Sequence, residues 1–194
     1  LFYFIYPKSV GRNNRKNKYY LMSFKKFFYK KVNSTNDLAI KKIKTGVSKG
    51  IIIANYQKKG RGQHGKKWLS LKGNIFMTIF FKIKHNMKIK KITIINCKII
   101  KKVLFQYIKK TITIKPPNDL LIDKKKICGI LQEIKFNKED KFIVIGIGIN
   151  LIKNPIINNY PTTNILRETG FKVKKFDLIN KIEKNYTKNL KLFA

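Results

Sequence analysis

Three short apolar runs constrain this chain more than anything else in it. Ile51–Tyr56 (IIIANY), Asn74–Ile83 (NIFMTIFFKI) and Phe142–Asn150 (FIVIGIGIN) are rich in β-branched and aromatic residues. Runs this short, bounded by lysine, glycine and asparagine, read as strands. None approaches the ~20 apolar residues that cross a bilayer as a helix. Further strands are expected at 24–32 (on a sheet edge), at 111–115 and at 127–136, the last joined to 142–150 by the turn NKED. Helices are expected where Ser34-Thr35-Asn36-Asp37 offers N-cap chemistry to LAIKKIK, over 89–110, and over 176–192. In the second of these, Ile92, Ile95, Ile99, Val103 and Ile108 recur near helical spacing. No repeat or linker divides the 194 residues. The pattern predicts one α/β (α+β) domain around a mostly antiparallel mixed sheet flanked by helices.

The charge is unusual. Lys+Arg 45 against Asp+Glu 9 gives +36. A polyanion partner would explain it, but an AT-rich coding sequence yields the same Lys-, Ile- and Asn-rich mix, and the lysines run along the whole chain. We read the surplus chiefly that way. LFYFIY precedes its basic segment, the reverse of an export signal. MSFKKFFYKK reads as a natural beginning, so residues 1–21 are expected to be a weakly ordered extension and 22–194 the domain. Two cysteines make no disulfide framework; reduced thiols and a cytoplasmic location are expected.

Three segments could carry chemistry. GRGQHGKKW places Arg61, Lys66 and Lys67 among Gly60, Gly62 and Gly65. Such a loop favours an anion, or is simply a mobile basic loop. IKPPNDLLIDKKKICGILQE presents Asn118 and Asp119 after two prolines; Asp119 could hold Mg²⁺, or NDLL could be an ordinary Asx turn. Lys126 begins the next strand, where it could face a phosphate or carboxylate. IVIGIGIN puts Gly146 and Gly148 on one face of a strand, open to a ligand or to close packing. His64 and His85 support no histidine-centred triad or zinc site.

Taken together and in order, STN, YQ, GRGQHGKKW, KPPNDLL, KKICGILQE and GIGIN resemble the catalytic domain of biotin protein ligases, over roughly residues 24–192. The resemblance implies a fold related to class II aminoacyl-tRNA synthetases and lipoate ligases. It implies that biotin and MgATP give biotinyl-5′-AMP, and that biotin then passes to a lysine of a biotin carboxyl carrier protein, as in acetyl-CoA carboxylase. Position by position, Ser34, Thr35, Asn36 and Gln57 match biotin-side residues. Arg61, Gly62 and Gln63 match the loop over biotin and adenylate. Lys126 matches the lysine at the biotin carboxylate and α-phosphate. Lys115, Asn118 and Asp119 match the MgATP motif, with Asp119 the candidate Mg²⁺ ligand. Gly129, Gly146 and Gly148 match a glycine-lined floor, and Asn150 the adenine side. Lys126, Arg61 and Lys115 would carry catalysis. No bound prosthetic group is implied.

Two positions depart from the family pattern. Gln63 stands for a second arginine, and Pro116 for a tryptophan. With no helix-turn-helix before the domain, specific DNA binding is not expected; nor is a membrane partner. No C-terminal β-domain is expected. A homodimer through a sheet edge is compatible with the family. The competing readings are a lipoate or octanoate enzyme on the same fold, whose RRxSGGG-type segment is absent here, and a basic nucleic-acid-binding protein without catalysis.

Overall fold

The computed structural model describes residues 24–193; the expected extension over 1–21 lies outside the described residues. In chain order the elements are β1 (Lys25–Tyr29), α1 (Thr35–Lys44), β2 (Lys49–Ala54), β3 (Ile75–Lys82) and α2 (Ile89–Leu104). There follow β4 (Ile112–Lys115), β5 (Asp119–Ile122), β6 (Lys125–Asn137), β7 (Asp140–Ile149), α3 (Ile165–Thr169) and α4 (Lys175–Asn189), with a 3₁₀ turn over Leu190–Leu192. The strands form one seven-stranded sheet in the order β1-β2-β3-β7-β6-β5-β4. Every neighbouring pair is antiparallel except β1 with β2. The expected mixed, mostly antiparallel sheet is what forms.

The central strands read as unbroken apolar runs because both of their faces are covered. Ile51, Ile53, Ile79, Phe81, Ile143 and Ile145 pack on one face with Ile92, Val103, Ile182 and Tyr186 of α2 and α4. The alternate residues Ile52, Phe80, Phe142 and Val144 face Ala39 and Ile43 of α1. Fully burying one such side chain is worth about 1.5–3 kcal/mol. Cys97 of α2 and Cys128 of β6 are both buried in the first of these cores.

Helix α1 starts where its cap chemistry predicts: Ser34 Oγ accepts from the Asp37 amide at 3.3 Å. Two elements differ from expectation. NDLL is not an Asx turn; Asp119 opens β5, whose two-residue turn into β6 holds Asp123 and Lys124 at positive φ, the hairpin geometry that suits sheet twist. Within the proline-containing tail, α3 forms between an Asn164 cap and Gly170 in the left-handed region.

Because α1 is short, it covers only part of its face of the sheet. Phe142 and Val144 lie under it. Two and four residues further along the same face of β7 come Gly146 and Gly148. Gly148 pairs with Gly129 of β6. Past the start of α1 the sheet therefore has a floor without side chains, and a cavity stands over it.

Candidate active site

The cavity measures about 860 Å³, within the range of small-ligand sites. Its lining includes every residue to which the family resemblance gave a role: Ser34, Thr35, Asn36, Gln57, Arg61, Gly62, Gln63, Lys115, Asn118, Asp119, Lys126, Gly129, Gly146, Gly148 and Asn150; Gly60 and Gly65 of the same loop do not line it. Residues from the start of α1, the glycine loop, β4 to β7 and the tail converge there. What several of them do differs from expectation.

One wall is a dense polar network. Asn36 Oδ1 accepts from Thr78 Oγ1 at 2.7 Å, while its Nδ2 donates to Glu133 Oε2 at 2.9 Å. Gln57 Oε1 accepts from both the amide and the hydroxyl of Thr35, at 2.8 and 2.9 Å. Thr35, Asn36, Gln57 and Thr78 are buried, so each bond made among them avoids a desolvation penalty of about 1–3 kcal/mol.

Arg61, expected to carry catalysis, is ion-paired within the chain. Its guanidinium forks onto Glu133, with Nη2 at 2.7 Å from Oε2 and Nη1 at 3.3 Å from Oε1, and Nη2 also lies 2.7 Å from Asp37 Oδ1. Burial alone would raise the Glu133 carboxyl; the bonds from Asn36 and Arg61 outweigh it and hold that carboxyl below its ordinary value. The glycine loop is thus latched to β6 through Arg61, and a hydrogen bond from the Gly62 amide to the Lys66 carbonyl at 2.6 Å tightens its tip.

The glycine floor is also not bare. A Cβ on Gly146 would collide with the Asn36 amide, and one on Gly148 or Gly129 with the Trp68 ring. The glycines make room for two side chains of this chain, which then form the true cavity surface.

The far wall is cationic. Lys126 Nζ lies 2.8 Å from Asp119 Oδ1, and the Tyr160 hydroxyl donates to Asp119 Oδ2 at 2.5 Å. Lys115 Nζ stands 4.3 Å, and Lys126 Nζ 5.5 Å, from the centre of the Tyr160 ring. Burial, then the bond to Asp119 and that residue's charge, push the Tyr160 phenol up. Asp119, expected to hold Mg²⁺, is therefore engaged with Lys126 and Tyr160. Among the described residues no group of three or more His, Cys, Asp or Glu side chains could hold a metal; a Mg²⁺ here would lean on its nucleotide's phosphates, with Asp119 as one oxygen ligand. Asn118 Nδ2 donates to the Ile130 carbonyl at 2.7 Å, and Asn150 Nδ2 to that of Thr163 at 3.0 Å. Both amides, expected on the nucleotide, are partly used in holding backbone. Asn150 Oδ1 and Trp68 Nε1 are buried without a partner.

Glu133, Trp68 and Tyr160 are the residues sequence reasoning missed. Glu133 had a signal: it shares the strand face of Gly129, four residues earlier. Tyr160 had none. Burial, then the charge of Asp119, push the Cys97 thiol up to about 11, and burial pushes Cys128 well above its ordinary value, so neither acts as a nucleophile.

A mixed sheet with a cationic, glycine-floored cavity on half of one face defines the class of α/β ligand-binding domain. The chain belongs to the Biotin/lipoate A/B protein ligase family, which it matches over residues 28–150. It is 28% identical over 169 residues to the bifunctional ligase/repressor BirA of Escherichia coli, which covers 84% of this chain and 52% of the relative. The BirA of Bacillus subtilis is 28% identical over 149 residues, covering 70% and 45%. The chain thus spans about half the length of the curated relatives it matches. Among solved structures it resembles the Aquifex aeolicus biotin protein ligase in complex with biotin and ATP, with TM-score 0.74 and 27% identity over 87% of this chain and 71% of that one. The Leishmania major enzyme in complex with biotinyl-5-AMP shares the fold, with TM-score 0.74, 23% identity and coverage of 88% and 76%. The two BirA relatives are named as repressors as well as ligases, so the expectation of no specific DNA partner finds no support in them. Among the described residues no helix is long and apolar enough to cross a membrane.

Proposed function

We propose that the chain is a biotin protein ligase: it joins biotin to AMP at the expense of ATP and passes the biotinyl group to a carrier lysine. The observation that carries this reading is a cavity of about 860 Å³ with Lys115 and Lys126 together on one wall and Arg61, paired with Glu133 and Asp37, in its lining. Two anions, a carboxylate and a triphosphate, must be brought together, and cations clustered at that point offset their repulsion. A biotin carboxylate oxygen attacks the α-phosphorus, and the bond to the outer phosphates breaks to release pyrophosphate. Lys126, exchanging Asp119 for the ligand, holds the carboxylate and α-phosphate. Mg²⁺ enters with ATP, and Asp119 is the carboxylate available to it. The Trp68 Nε1–H and the Asn150 Oδ1, each without a protein partner, supply a donor and an acceptor for the ligand. In the second step the carrier's neutral amine attacks the acyl carbon, the acyl C–O bond breaks to release AMP, and the nitrogen's surplus proton passes to solvent. The carrier is the biotin carboxyl carrier protein of acetyl-CoA carboxylase or of another biotin-dependent carboxylase, and the site of action is the cytoplasm.

The family name covers lipoate as well as biotin. The ligands named for its solved neighbours support biotin. The test is incubation with biotin, MgATP and a carrier domain, beside a parallel run with lipoate. Labelled carrier is expected with biotin, and none from folded Lys126→Ala. An unlabelled carrier with correctly folded wild-type protein would reject the reading.

A further inference from the structure

We infer that Asn74, which does not touch the cavity, is a positioning residue for its nucleotide half, because one side-chain oxygen gathers the backbone at the root of the segment that carries Tyr160. Asn74 Oδ1 accepts from three consecutive amides, Leu151 at 3.0 Å, Ile152 at 3.1 Å and Lys153 at 3.2 Å. Its Nδ2 donates to the Lys153 carbonyl at 2.8 Å. The side chain is 1% exposed. Beside it, Gly73 has φ +95°, and a Cβ there would run into the Ile152 side chain. Gly73 and Asn74 together make a fitted seat for residues 151–153.

The segment that leaves this seat reaches the cavity and is fixed again at its other end. The Lys126 amide donates to the Pro161 carbonyl at 2.8 Å, and the Thr163 amide to the Lys126 carbonyl at 2.9 Å. Between the two anchors, Ile156 is 95% exposed, and the Tyr160 hydroxyl reaches Asp119. Within the stretch, Asn154 Nδ2 donates to Thr162 Oγ1 at 2.9 Å, Asn154 Oδ1 accepts from Asn164 at 2.7 Å, and Thr162 Oγ1 donates to the Pro155 carbonyl; these bonds close the loop on itself, and its placement against the cavity is set by where its ends are held. A side chain that satisfies three amides at one end has a larger say in that placement than any single contact within it. The biotin wall, built from α1, β3 and β6, has its own bonds and does not depend on the seat.

The role rests on the ligase reading, since it calls this half of the cavity the nucleotide half. The experiment is biotin-dependent ATP–pyrophosphate exchange, with biotin affinity measured separately by calorimetry. Asn74→Ala is expected to raise the KM for ATP about tenfold or more and to leave biotin affinity within about twofold of wild type. Asn74→Asp keeps an acceptor for the three amides and is expected to restore the ATP KM to within a few-fold. Gly73→Ala, which leaves the hydrogen-bonding groups in place, is expected to shift the KM in the same direction by less, and it decides the matter if Asn74→Ala does not fold. Hydrogen exchange should quicken at residues 151–163 in these variants and stay unchanged in α1. An unchanged ATP KM, equal losses for biotin and ATP, or protection lost throughout the fold would overturn the role. Absence of pyrophosphate exchange in folded wild-type protein would reject the ligase reading instead, and hydrogen exchange would still decide for the seat.

Discussion

One face of β7 serves two ends in succession. Phe142 and Val144 carry side chains and are sealed beneath α1; Gly146 and Gly148 carry none, and polar or aromatic groups from Asn36 and Trp68 settle over them. The strand geometry is the same along its length. What changes is whether the strand supplies its own cover or leaves that to distant residues. Where it does, the result is core. Where it does not, the covering groups keep hydrogen-bonding capacity and the result is a site.

Four measurements press on this contrast. Phe142→Ala removes cover from the sealed half and should lower unfolding free energy by about 3–5 kcal/mol in chemical denaturation, with biotin affinity kept where the protein is folded. Equal damage to binding would mean that the halves are not separable. Gly146→Ala inserts one methyl into the open half, where it must displace Asn36, the hub between Thr78 and Glu133. We expect about 1–3 kcal/mol of destabilisation and at least a tenfold loss of biotin affinity by calorimetry. A neutral result would show that Asn36 can be moved freely.

Glu133→Gln tests the latch that closes the open half. Arg61 is more than a third exposed, so solvent screens the pair and the expected loss of stability is under about 1 kcal/mol. The loop over 60–67 should nevertheless become several-fold more sensitive to limited proteolysis. In the folded protein the Glu133 carboxyl lies below its ordinary value of 4.5. The latch is therefore fully present above that value and is lost as pH falls through the lower, folded one. Acid-induced loosening of the loop in wild type, absent in the variant, is the expected pattern. Ser34→Ala removes the α1 cap at the border of the two halves and is read in stability alone. About 1 kcal/mol is expected, read from the thermal midpoint.

Much of this was legible in the residues. β2, β3 and β7 are apolar runs because both faces are covered, and Ser34 announces α1 where the chain turns helical. β5 was not legible. Its four residues follow two prolines and become a strand only because β4 and β6 flank them in register. α3 has five residues, too few for periodicity to register. For the cavity, the motifs named residues that line one space, since the start of α1, the loop after β2 and the ends of β4 to β7 meet around it. The partners were out of reach. Arg61 meets Glu133 across 72 positions, and nothing local to either residue states the pairing. Asn74 reads as the first residue of a strand, and its hold on a segment 77 positions on appears only when the backbone is folded.

The depth of Cys97 and Cys128 has a practical corollary. Both thiols are screened from solvent and poorly ionised at neutral pH, so the folded chain presents no reactive sulfur of its own among the described residues. A cysteine introduced at Asn158, on the exposed stretch that borders the cavity, would be chemically unique. A fluorophore tethered there could follow the arrival and departure of ligands in real time, with no need to strip the native sulfurs first.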